Sequence, residues 1–122
     1  MIRHCNSILV VEDDQSIRDS VVQILSLEGY SPEAAANGKE ALEKLHHLHK
    51  PCLILLDLMM PVMDGYAFLS QIGKDIDLAH VVIMTAMTHV NIENIRILKK
   101  PFCVLNLLEL AEGCPKAPLP AA

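Results

Sequence analysis

Leu53-Ile54-Leu55-Leu56-Asp57-Leu58-Met59-Met60-Pro61-Val62-Met63-Asp64-Gly65 is the stretch whose reading decides the fold. Its first four residues are apolar without alternation, and the run ends on a carboxylate, Asp57. A strand with one wet face alternates polar and apolar side chains; a strand buried on both faces does not. The same pattern occurs twice more. Ile8-Leu9-Val10-Val11 leads into Glu12, and Val81-Val82-Ile83-Met84 leads into Thr85. Such strands belong to a parallel sheet covered by helices.

Segments of helical period lie between the runs. Ile17, Val21, Ile24 and Leu25 share one helix face, and Gly29 offers a left-handed stop. Ala41, Leu42, Leu45 and Leu48 repeat the pattern after the turn signal Asn37-Gly38. A third helix runs from about Gly65 through Phe68, Leu69 and Ile72 toward Gly73, with Asp64 as its cap. The last carries Val104, Leu107, Leu108 and Ala111 and stops by Gly113. Residues 30–35 supply the second strand, and Pro32, which lacks an N–H, assigns it to an edge or a strand end. Alternating strands and helices give right-handed crossovers and a three-layer α/β sandwich. Ligands of such folds gather at the carboxyl edge of the sheet. Glu12, Asp57 and Thr85 therefore converge there.

The composition bounds the function. The 122 residues are 52% hydrophobic and 20% charged, with a net charge of -5. That is one domain with a core, too apolar for a disordered chain and without the ~18 uninterrupted apolar residues of a membrane span. No basic cluster is available for direct nucleic-acid binding, and Tyr30, Tyr66, Phe68 and Phe102 are too few for a stacking platform. The opening residues carry no signal peptide, which makes the cytoplasm the expected compartment. Cys5, Cys52, Cys103 and Cys114 show no CxxC spacing and are expected to stay reduced. Residues 1–114 are expected to form the domain, and the Pro-rich residues 115–122 a flexible tail or truncated linker.

Glu12, Asp13 and Asp14 follow the first strand, and Asp57 ends another. Carboxylates crowded together repel unless a cation compensates. Hard oxygen donors with room for water suit Mg²⁺ better than zinc or a calcium cage. Helix capping alone accounts for one acid of the three, not for all of them beside Asp57. Thr85 adds a hydroxyl and Lys100 a cation, the company an aspartate nucleophile needs when it attacks a phosphoryl group. Taken singly, Thr85 is a strand-end hydroxyl and Lys100 a surface charge. Met59, Met60 and Met63 suit loop packing, since a thioether is a poor partner for Mg²⁺. His46, His47 and His49 suit the wet end of a helix better than a metal tract.

Together ILVVEDD, LILLDLMMPVMDG, VVIMTA and KKPF, in this order, resemble the CheY-like receiver domain of two-component response regulators, over roughly residues 7–112. The resemblance implies a flavodoxin-like five-stranded sheet of order 2-1-3-4-5. It implies Asp57 as phospho-acceptor from a histidine kinase or phosphotransfer protein, Asp13 as direct Mg²⁺ ligand, and Glu12 acting on the metal largely through water. The backbone carbonyl of Met59 matches the third protein ligand. Thr85 matches the switch hydroxyl and Lys100 the phosphate-pairing lysine, whose bond to Pro101 is cis in the family.

One region departs from the pattern. Between Thr85 and Lys100 lie 14 residues, where a receiver places a helix and its fifth strand. A typical helix of ~11 residues and strand of ~5 exceed that before any loop. The fourth helix is therefore shortened, reduced to a turn at residues 91–94, or missing, with the last strand at residues 95–98. The family's aromatic, three before the lysine, is Ile97 here. Trimming the helix leaves apolar surface for a partner or a second copy of the chain. Two functions follow: a phosphorylatable switch acting on an unidentified downstream protein, and a constitutive interaction module that keeps the fold without switching. A phosphohydrolase is a weaker third, because Met59 stands where such enzymes commonly carry a second acid. The chain is expected to accept phosphate, with at most slow self-phosphorylation and self-dephosphorylation, rather than turn over substrates.

Overall fold

The apolar runs are strands, and each helix is set against them by its own apolar stripe. The computed structural model describes residues 7–47, 53–72, 80–92 and 95–114. The elements run β1 (Ser7–Val11), α1 (Gln15–Leu27), β2 (Ser31–Ala35), α2 (Gly38–His47), β3 (Leu53–Asp57), α3 (Gly65–Ile72), β4 (Val81–Thr85), β5 (Arg96–Lys99) and α4 (Val104–Ala111). All neighbouring strands pair in parallel, in the order β2-β1-β3-β4-β5. This is the flavodoxin-like three-layer arrangement.

Side-chain alternation sorts the core into two halves. Ile8, Val10, Leu53, Leu55, Val82, Met84 and Leu98 face α1 and α4, where Val21, Leu25, Leu107 and Ala111 meet them. Leu9, Val11, Ile54, Leu56, Val81 and Ile83 face the opposite way, against Ala41 of α2 and Phe68 and Ile72 of α3. Every residue of β3 and β4 is buried. That explains the missing alternation. Each fully buried aliphatic contributes about 1.5–3 kcal/mol.

The turns at the carboxyl edge are fixed by side-chain caps. Asp14 accepts the Ile17 amide at 3.1 Å, Asn37 that of Glu40 at 2.9 Å, and Asp64 that of Ala67 at 2.8 Å. Each satisfies an N–H the first helical turn leaves unpaired. Gly29, with φ of 92°, ends α1 in the left-handed region.

Pro32 lies in the edge strand β2, where its missing donor faces no further strand. The strand starts at Ser31, with Tyr30 just before it packed in the core. The last strand is displaced by one residue from the expected 95–98, because Leu98 is its buried position and Lys99 pairs with Thr85. Among the described residues no helix joins β4 to β5. Val90, Ile92 and Ile95 pack against the sheet in its place. The turn expected at 91–94 falls partly outside the described residues, as do Cys5, Leu48, His49, Cys52, Gly73 and the tail 115–122. Cys103 and Cys114 are not joined in a disulfide. Among the described residues no helix is long and apolar enough to cross a membrane.

Candidate functional site

The site forms where β1, β3 and β4 end side by side. Asp57 pairs in register with Met84, which sets Thr85 one residue beyond it on the next strand, and Thr85 in turn pairs with Lys99. The Lys100 amide donates to the Thr85 carbonyl at 2.8 Å, and the Lys100–Pro101 peptide is cis. Glu12, Asp13 and Asp57 each place a carboxylate oxygen within 4.8 Å of the others. Glu12 is fully buried, Asp57 is 5% exposed, and Asp13 reaches solvent.

Polar partners hold each group. The Glu12 carboxylate makes an ion pair with the Lys100 ammonium and accepts the Asp14 amide at 3.2 Å. Lys100 Nζ lies 3.7 Å from Asp57 Oδ2, so this cation serves two carboxylates. The Met59 amide donates to Asp57 Oδ1 at 3.2 Å, while its side chain is exposed. Thr85 Oγ1 accepts the Met87 amide at 3.0 Å. Two carboxylates close to a third leave Asp57 short of compensation. Burial first, then the hydrogen bond and charge of Glu12, push its pKa up from 3.8 to about 7, with Lys100 pulling the other way.

The loop after Asp57 is tightly built. The Gly65 amide donates to the Leu58 carbonyl, and a Cβ on Gly65 would stand 2.7 Å from the Asp57 carbonyl oxygen. No larger residue fits without moving the backbone that carries Asp57. Met63 donates to the Pro61 carbonyl across Val62, whose φ is 70°. A β-branched residue there is a strained γ-turn. Met63 also abuts Gly38, tying the loop to the start of α2.

The sequence reading missed Arg18. Its guanidinium donates to the carbonyls of Glu12 at 2.9 Å and Asp13 at 3.4 Å, clamping the acidic turn from α1. An arginine in a first helical turn opposes the helix dipole, and that mismatch is the one signal that pointed to it. Asp14 turns its carboxylate to its own helix, apart from the metal-capable group. His46 and His47 lie in the last turn of α2.

A family profile for the response regulator receiver domain matches residues 8–110. The chain belongs to this family. It is 38% identical over 84 residues to the response regulator MprA of Mycobacterium sp. (strain KMS), covering 69% of this chain and 36% of that protein. The chain spans about a third of the length of the curated relatives it matches. A CheY-like receiver protein of Methanospirillum hungatei superimposes with a TM-score of 0.78 at 31% identity, over 88% of this chain and 90% of that one. The response regulator TrrA of Thermotoga maritima, solved in complex with Mg²⁺-BeF, gives 0.76 at 30% identity, over 88% and 96%. Receiver domains act as phosphoryl acceptors rather than turnover enzymes. The acidic group Glu12, Asp13 and Asp57 is consistent with such a site and could hold a metal.

Proposed function

We propose that this receiver is a phosphorylation switch in which Asp57 accepts a phosphoryl group from a histidine kinase or histidine phosphotransfer protein. The observation that carries the reading is the meeting of three carboxylates within 4.8 Å beside the Lys100 ammonium. The donor set tests well for Mg²⁺: all oxygen, two groups buried and one open to water, and an aspartate whose pKa is raised first by burial and then by the neighbouring Glu12. Asp13 and Asp57, with the Met59 carbonyl, would hold the ion directly and Glu12 through water. Bound there, Mg²⁺ would neutralise phosphoryl oxygens and favour the ionised, nucleophilic form of Asp57. TrrA, of the same fold, carries Mg²⁺-BeF in its solved structure, which supports the assignment.

The chain's own residues do the rest. An Asp57 carboxylate oxygen forms the O–P bond as the P–N bond to the donor imidazole breaks. The imidazole keeps the bonding pair and takes up a proton. Lys100 pairs with the transferred oxygens, and the Thr85 hydroxyl donates to one of them. A groove of about 450 Å³ opens beside Lys100, lined by Ile17, Val21 and Ile24 of α1 and by Pro101, Phe102 and Val104. Its apolar walls, continuous with the site, suit the body of a protein donor. Residues 1–114 are the switching unit of this reading, working in the cytoplasm. Incubation with acetyl phosphate and Mg²⁺ is expected to add one phosphoryl mass, lost in Asp57→Asn. Absence of an adduct from acetyl phosphate and from a phosphotransfer protein refutes the reading.

A second reading, a constitutive interaction module, is favoured by one observation: no helix joins β4 to β5 among the described residues, and Ile97 takes the aromatic position. It requires partner affinity to be unchanged by Asp57→Asn and by phosphorylation.

A further inference from the structure

We propose that Arg18 is a positioning residue for Mg²⁺. It holds the Glu12 and Asp13 carbonyls toward α1, keeps the Asp13 carboxylate beside Asp57, and tightens metal binding although its own charge repels the ion. The inference rests on the metal reading above and names what organises the ligand that the fold holds least directly.

The three carboxylates are not held alike. Glu12 is buried, paired with Lys100 and bonded to the Asp14 amide. Asp57 is buried too, and accepts the Met59 amide. Asp13 is exposed, and among the described residues no N–H donates to its carboxylate. Its oxygen nevertheless stands within 4.8 Å of the other two. A side chain with no donor of its own takes its direction from the backbone that carries it.

One residue gathers that backbone. Arg18 Nη1 donates to the Glu12 carbonyl at 2.9 Å and to the Asp13 carbonyl at 3.4 Å, and the Arg18 amide donates to the Asp14 carbonyl at 2.9 Å. Three consecutive carbonyls thus turn toward a single residue of α1. The Glu12 amide is fixed separately, to the Ala35 carbonyl at 3.0 Å. Between these anchors the Asp13 peptide has little freedom to rotate. Among the described residues the guanidinium makes no ion pair with a carboxylate, so its charge is directed to the two carbonyls. They compensate a cation that the α1 dipole opposes. Two effects on a bound metal then carry opposite signs. A positive charge beside two ligand residues lowers affinity for Mg²⁺, and water screens it. A ligand already in place spares the ordering that binding otherwise costs. Groups that orient a metal's ligands are typically worth roughly 10–100-fold in affinity, so positioning outweighs repulsion.

The test is a MgCl₂ titration of the full chain at pH 8 followed by ¹H–¹⁵N NMR, with dissociation constants taken from amide shifts at residues 12–14 and 57–59. The same spectra show whether each variant is folded. Arg18→Met is expected to weaken Mg²⁺ binding about tenfold. Arg18→Lys keeps the charge but reaches one carbonyl rather than two, and is expected to weaken binding about threefold. A charge effect alone gives the reverse order, with Arg18→Met binding more tightly than wild type. A purely structural role lowers the urea midpoint in EDTA and leaves the dissociation constant of the folded protein unchanged. Either result overturns the proposal. So does wild-type affinity in Arg18→Lys, the variant that decides the matter if Arg18→Met does not fold. Wild-type protein that shows no Mg²⁺-dependent shift overturns the metal reading as well, whereas wild-type binding matched by both variants overturns the role of Arg18 alone.

Discussion

Asp57 makes the metal-free protein sensitive to pH in a direction that can be worked out. Its pKa rises from 3.8 to about 7 in the fold, chiefly through burial and then through Glu12. The folded state therefore holds a proton that the unfolded chain releases above pH ~4. Stabilisation from that proton is complete below the unfolded value and is lost as pH climbs through the folded one. The slope approaches roughly 1.4 kcal/mol per pH unit and gives about 2 kcal/mol between pH 5 and pH 7, a large share of the ~5–15 kcal/mol that holds a domain together. Asp57→Asn removes the titration and keeps the shape. Urea melts of both proteins at pH 5, 6, 7 and 8 in EDTA isolate the difference, since the histidines titrate in both. Wild type should fall relative to Asp57→Asn by ~1–3 M in midpoint across this range, given a slope of ~1–3 kcal/mol/M. Mg²⁺ should return most of the loss at pH 8 to wild type and much less to the variant. Parallel midpoints at every pH, or equal stabilisation of both proteins by Mg²⁺, refute the account of Asp57 as the uncompensated member of the acidic group.

Three other outcomes follow from the geometry. Gly65→Ala forces a Cβ to within 2.7 Å of the Asp57 carbonyl oxygen and the Leu58 Cα, and should cost about 1–3 kcal/mol in a urea melt. Lys100→Met strips the fully buried Glu12 of its cation and should cost about 3 kcal/mol at pH 7, far more than loss of an exposed pair; a change under ~0.5 kcal/mol contradicts the burial of that ion pair. Val104→Glu alters a 48%-exposed residue on the rim of the apolar groove. It should slow phosphoryl transfer from a phosphotransfer protein by about tenfold or more while leaving the rate with acetyl phosphate unchanged, the tenfold corresponding to ~1.4 kcal/mol of lost contact; equal slowing with both donors sinks the docking role.

What the sequence makes legible here is local. Three apolar runs without alternation mark β1, β3 and β4 because each is buried on both faces, and their polar end residues mark the site because a parallel sheet has one carboxyl edge. Pro32 in β2 is readable for the same kind of reason, a missing donor that needs an edge. Two things were not legible. The ion pair between Glu12 and Lys100 joins residues 88 apart, and the KKPF motif that singles out Lys100 says nothing of Glu12 as its partner. The start of β5 was misplaced by one residue because Ile95, Ile97 and Leu98 are all apolar, while only Leu98 reaches the core. Register settles that, through the pairing of Thr85 with Lys99.

The short connection between β4 and β5 is legible in length but not in conformation. Counting residues from Thr85 to Lys100 shows that a full helix does not fit, but not what covers the sheet instead. Val90, Ile92 and Ile95 do so outside any helix or strand, which a helical period search cannot detect. The chemical half of the site is untouched by this economy, since Glu12, Asp13, Asp57, Thr85 and Lys100 all come from strand ends that the sheet positions independently. The surface half does change, because among the described residues no helix joins β4 to β5 and Ile97 is left 46% exposed beside that connection.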